Sequence, residues 1–167
     1  MAGGHGEGFE PADGDGPPTD PQARAGELRT AYEGLLQIRR MLGDGTHAPA
    51  PWELRAVPRA VALVLEAAGF PPSALDARGR RSRTGYRVAG GPDGNGPDGN
   101  GTGGSDSVGP GPAPVTVTWP GPAGSGAAEE EQERLTACAA ELERHGWECL
   151  LYRGPRGRRF LEVEPPR

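Results

Sequence analysis

Lysine is missing from this chain, and all 18 basic residues are arginine. Together with 29 glycines and 19 prolines, this is the residue usage of a very GC-rich coding sequence, so arginine clusters say less about function here than they otherwise would. Cysteine is scarce. Two cysteines in 167 residues exclude a disulfide framework, and no charged, apolar, small-residue leader opens the chain, so a reducing cytoplasm is the expected compartment. Long apolar runs are missing as well: residues 57–68 form the longest, and Pro58, Arg59 and Glu66 interrupt it, which excludes a bilayer span and any membrane anchor of that kind. The net charge of −5 argues against wholesale attraction to nucleic acid or membrane. Its distribution is uneven, with five acids and no base in residues 1–22 against eleven arginines and six acids in residues 23–90.

What the chain does contain is organised around residues 115–163. Val115, Val117 and Trp119 alternate with Thr116 and Thr118, the period of a strand with one dry face. From about Ala127 to His145 there is no proline or glycine, and Ala128, Leu135, Cys138, Ala139 and Leu142 share one side of a predicted helix. Gly146 follows where a helix needs a left-handed residue to stop, and Trp147 is placed to fold back on the last turn. Residues 147–153 and 158–163 flank Gly154-Pro155-Arg156-Gly157, which predicts a hairpin through a type I turn. Because a helix joins the first strand to the second, those two are expected to run parallel, with the last strand slotting between them. Alternation puts Cys149 and Leu151 on one face and Leu150 and Tyr152 on the other. One helix covers one face, so the other is expected to be covered by the N-terminal helices or by a second copy of the chain.

The flanks divide by composition. Residues 1–18 are glycine, proline and acids around a single large apolar group, Phe9, and are expected to form a disordered arm. Residues 19–88 are expected to be a helical region ending in a short strand. Asp20-Pro21 is a helix start, Leu28, Tyr32, Leu35, Ile38 and Leu42 mark one face, and Gly43 ends it, with Arg29, Glu33, Arg39 and Arg40 mostly outside that face. A second helical region starts near Trp52, restarts at Pro58 and closes at Gly69-Phe70; its almost unbroken apolar surface, Val61, Leu63, Val64 and Leu65 among alanines, predicts burial on most sides. Ser73 to Asp76 has capping-box spacing for one short helical turn. Tyr86 and Val88 alternate as in a strand that can lie beside Val115–Trp119. Residues 89–113, with GPDGN twice in succession, form a flexible insertion that is either a long hairpin loop or a linker to the βαββ module of residues 114–164. The predicted fold class is thus α+β: N-terminal helices packed with residues 114–164 as one domain, on a small mixed sheet built from a (β)βαββ unit.

Chemistry-bearing motifs are thin. Gly121 to Gly126 has the glycine spacing of a phosphate loop between strand and helix, but Ala127 and Ala128 stand where its lysine and hydroxyl belong, and Glu129, Glu130, Glu131 and Glu133 would repel a phosphate. Cys138, His145 and Cys149 lack the four ligands and paired spacing of structural zinc, and an apolar-face cysteine lacks the setting of a nucleophile. No catalytic, cofactor-binding or metal site is therefore expected. Two arginine groups remain: Arg78, Arg80, Arg81 and Arg83 with Arg87, and Arg156, Arg158 and Arg159 with Arg153. They are candidate phosphate contacts, with Tyr86 or Tyr152 available to stack on a base, or else solvated edges that discourage stray strand pairing. The sequence accordingly points first to a non-enzymatic protein acting by protein–protein interaction, as regulator or subunit. A nucleic-acid binder is the alternative, and a degenerate nucleotide-binding enzyme a distant third.

Overall fold

A computed structural model describes residues 9–42, 46–90 and 114–167. The chain folds as α1 (Pro21–Leu42), α2 (Pro51–Arg55), α3 (Val57–Ala67), β1 (Ala74–Leu75), β2 (Arg81–Arg83), β3 (Arg87–Gly90), β4 (Val115–Thr118), α4 (Ala127–Arg144), β5 (Glu148–Arg153) and β6 (Arg159–Glu164). The α+β class holds. Of the expected disordered arm over 1–18 and flexible insertion over 89–113, residues 1–8 and 91–113 lie outside the described residues, as does the Gly43 stop.

β1 and β2 pair in a two-stranded sheet, and the other four strands form a sheet in the order β3-β4-β6-β5. β4 and β5 point the same way, as a helical crossover requires, and β6 has slotted between them, so all three ladders are antiparallel and the sheet is not mixed. β3 lies antiparallel beside β4, with Val88 opposite Val117.

Register gives the sheet two distinct faces. Val88, Val117, Leu161 and Leu151 form one cross-strand row on the inner face, and Gly90, Val115, Val163 and Cys149 form another. These rows join Val61, Val64 and Leu65 of α3 and Leu135, Cys138 and Leu142 of α4 in one core. Val61 to Leu65 are all buried, as the nearly all-apolar surface of that helix demanded. α3 packs against β3 and α4, while α4 packs against β4, β5 and β6. Both helices therefore share the inner face. This corrects the expectation that the N-terminal helices cover the opposite one: β3 widens the sheet to four strands, and a single helix about 10 Å across cannot roof it. Among the described residues no layer covers the outer face, with Thr116, Phe160, Glu162, Leu150 and Tyr152.

Helix ends follow local chemistry. The Asp20 carboxylate accepts from the Gln22 and Ala23 amides at 3.0 and 3.4 Å, and Pro58 sits in the first turn of α3. Gly146 takes φ 88°, and Trp147, buried, returns its amide to the Leu142 carbonyl at 3.1 Å.

Four local expectations fail. Ser73 to Asp76 does not coil: Ala74–Leu75 is a strand, and the Asp76 carboxylate instead accepts from the Arg78 and Arg80 amides in a turn. The hairpin turn is not type I, because Arg156 is left-handed at φ 62°, ψ 18°. The inner face of α4 runs through Ala127 and Glu131, with Ala128 exposed. On α1 the buried residues are Leu35 and Arg39, while Ile38 and Leu42 are exposed, because Arg39 has a buried partner in Glu53.

Candidate functional site

The two arginine groups lie toward opposite edges of the sheet, since β3 follows the first and the β5–β6 turn carries the second. Much of the first is already engaged by residues 9–20. Arg81 reaches the Asp15 carboxylate at 2.6 Å and the Gly14 carbonyl, the Arg87 guanidinium holds both Asp15 oxygens at 2.9 Å, and Arg83 donates to the Thr19 carbonyl at 2.6 Å. Backbone contacts pin the same segment. Val88 donates its amide to the Asp13 carbonyl at 2.7 Å, Leu75 to Gly16 at 2.9 Å, and the Tyr86 hydroxyl to Ala12 at 2.8 Å. Pro11 and Gly14 are buried. Residues 9–18 of the expected disordered arm are thus held against the fold: Ala12 to Asp15 lie along β3 as a further, irregular edge, Gly16 meets β1, and Phe9 and Glu10 lie against Arg24 and Arg59. The binding of this acidic segment reflects the charge asymmetry of the sequence, since acids without bases are docked on arginines.

In the second group, the Arg158 guanidinium lies 2.9 Å from a carboxylate oxygen of Glu131, whose other oxygen accepts the Arg159 amide at 2.7 Å. Glu131 is buried at the inner end of α4 and ties that helix to the start of β6. Arg78, Arg80, Arg153 and Arg156 are exposed.

The remaining reactive groups are committed to structure. Burial pushes the Cys138 thiol up to about 12, with Cys149 nearby adding to it, and burial with Glu143 does the same for Cys149. The His145 ring spans two partners: Nδ1 faces the Glu141 carbonyl at 2.8 Å and so carries the proton, leaving Nε2 to accept from the Tyr32 hydroxyl at 2.7 Å. Burial, and the Glu141 charge, push the Tyr32 hydroxyl upward. This links α1 to the end of α4. In the glycine loop, Gly126 precedes α4 in a left-handed conformation and its carbonyl accepts from the Glu129 and Glu130 amides. Among the described residues no three His, Cys, Asp or Glu side chains converge as metal ligands, and no helix is long and apolar enough to cross a membrane.

What stands out is the β5 edge. Along the inner row, Val88, Val117 and Leu161 are at most 4% exposed, whereas Leu151, the next residue in the row, is 39% exposed. On the outer face Leu150 is 57% and Tyr152 41% exposed, with the Tyr152 ring stacked on Phe160 at 5.4 Å. Partial burial and the neighbouring Glu164 push the Glu162 carboxyl upward at the acidic end of this face. Sequence reading assigned these side chains to the right faces and missed that, among the described residues, one edge stays bare; the signal was the run Leu150-Leu151-Tyr152, apolar at successive positions where a one-sided strand alternates.

Comparison of the chain with protein-family models, with curated proteins and with solved structures finds no match in any of the three.

Proposed function

We infer that this is a non-enzymatic protein that works by contact with another protein chain, through the β5 edge and the adjoining outer face. The observation that carries this reading is the Leu151 position: it belongs to a row otherwise sealed in the core, yet among the described residues it is left 39% exposed. Apolar groups on both faces of an outermost strand are what strand addition by a partner would shield. The occupied His145 nitrogens and the high thiol pKa values leave these groups poorly suited to acid–base or nucleophilic work. A photo-crosslinking amino acid at position 150, introduced into the full chain and irradiated in native extract, tests the reading. Discrete adducts are expected, absent when the same group stands at Gln132 on the exposed side of α4; identical, diffuse labelling from both positions would overturn it.

A second reading, binding of single-stranded nucleic acid at the hairpin, draws support from the Tyr152–Phe160 stack next to Arg153 and Arg156. Titration with single strands at low and high salt separates the two, since phosphate contact weakens steeply as salt rises.

A further inference from the structure

The four-stranded sheet has two edges, and the chain treats them differently. At β3 the acidic segment lies alongside, taking the Val88 amide on the Asp13 carbonyl. At β5 no described strand follows. β5 pairs with β6 over six consecutive positions, from Glu148 to Arg153, and carries no proline and no bulge, the devices that normally blunt an edge. With one edge closed and one open, a second copy adding at β5 ends the assembly at two chains and starts no filament.

We propose that β5 pairs antiparallel with β5 of a second copy, about a two-fold axis at Leu151, joining the two sheets into one of eight strands. This rests on the contact reading above and names its partner. Charge selects the orientation. Across the β5–β6 ladder Glu148 lies opposite Glu164 and Arg153 opposite Arg159, so each end of the hairpin holds a like-charged pair, which is unfavourable within one chain. Antiparallel addition sets the acidic end of each copy at the arginine end of the other, with Glu148 and Arg153 on opposite faces of the joined sheet, so the meeting ends are unlike in charge; parallel addition would stack like on like. Packing selects the register. A strand meeting itself across a two-fold keeps inner face with inner face, so centring on Leu151 places it against Leu151 of the second copy and Leu150 against Tyr152 of the second copy. The row Val88, Val117, Leu161, Leu151 then runs unbroken into its counterpart. Centring on Leu150 would instead place Glu148 against Tyr152 and lose that continuity.

The full chain is measured by sedimentation equilibrium over a concentration series. Twice the chain mass of 17.4 kDa is expected, falling to one chain in Leu151→Arg with an unchanged circular dichroism spectrum, because that side chain is already part-exposed. As a positive test, Leu151→Cys in a Cys149→Ser background is expected to be linked into a dimer by a short bis-maleimide, which spans directly opposed Cβ atoms roughly 4.5–5.5 Å apart. Gln132→Cys in the same background is expected to stay single. A wild-type mass of one chain throughout, or a dimer that survives Leu151→Arg and does not link through position 151, overturns the proposal. If the chain is single and the crosslinker at position 150 captures a different protein, this partner is wrong and the contact reading stands; if position 150 captures nothing, both fail.

Discussion

Arg39 and Glu53 meet as a two-pronged ion pair, at 2.7 and 2.6 Å, with neither side chain reaching solvent. The same guanidinium donates to the Thr46 carbonyl at 2.9 Å and the His145 carbonyl at 2.7 Å, and Glu53 also accepts the Ala50 amide at 2.8 Å. One residue of α1 thereby gathers α2, the segment before it and the end of α4. Removing one partner strands a buried charge. Arg39→Ala or Glu53→Ala is expected to cost about 3–5 kcal/mol, read from urea unfolding. The double change Arg39→Met, Glu53→Leu is expected to recover only part of that, because the Thr46 and His145 carbonyls still lose their donor. Full recovery would mean that the carbonyl contacts contribute nothing.

The acidic segment depends on Gly14. Its φ is 97°, and a Cβ there would run into the Tyr86 carbonyl oxygen and come within 2.7 Å of the Arg87 Cα, both rigid backbone. Gly14→Ala is expected to lift residues 12–15 off β3, at a cost of at least about 1–2 kcal/mol. Hydrogen exchange at the Val88 amide, which donates to Asp13, is expected to speed up, and retention on an immobilised polyanion to rise as Arg81 and Arg87 lose Asp15. Unchanged protection at Val88 would show the segment is held elsewhere.

Alkaline pH is expected to weaken the fold through two buried thiols and a buried phenol. Burial raises the Cys138 and Cys149 thiols to about 12, and raises the Tyr86 hydroxyl strongly, with the Glu66 charge adding to it. A group whose pKa is raised by folding contributes its full stability below the unfolded value, about 8.5 for a thiol and 10 for tyrosine, and loses it as pH climbs toward the folded value. Unfolding free energy is therefore expected to be flat in these terms up to about pH 8.5 and to fall beyond it. Both thiols are expected to resist an alkylating reagent at pH 8 until denaturant is added. Rapid modification of the folded chain would contradict the burial.

Where one physical term dominates, the sequence was readable. The apolar circumference of α3, the alternation of Val115 to Trp119 and the Gly146–Trp147 stop each follow from a single rule, and each stands as expected. What periodicity missed was paired polarity. Arg39 and Glu131 sit on inner helix faces because a partner 14 residues away (Glu53) or 28 residues away (Arg159) satisfies them, and no local pattern announces such a partner. The docked acidic segment was missed for a related reason: low apolar content argued for a free arm, while the arginines that hold Asp15 lie more than sixty residues on. At the site, the faces of Leu150 and Leu151 were legible from alternation, but which edge would stay open depended on β3 and the acidic segment closing the other.

Arg156 offers a test that separates backbone cost from charge. As a left-handed non-glycine residue it carries about 1–2 kcal/mol of backbone strain, against about 0.5–1 kcal/mol that glycine gives up in the unfolded chain. Arg156→Gly is expected to gain up to about 1 kcal/mol in thermal or urea unfolding, and Arg156→Asn, which tolerates this conformation less freely, somewhat less. Both remove the same charge. If the hairpin held a nucleic-acid strand, both changes would reduce the salt dependence of binding equally, by about one phosphate contact, whatever their different effects on stability. If β5 instead pairs with a second copy, Arg156 lies beyond the paired strand, and the dimer is expected to survive either substitution while only the stability of the turn changes.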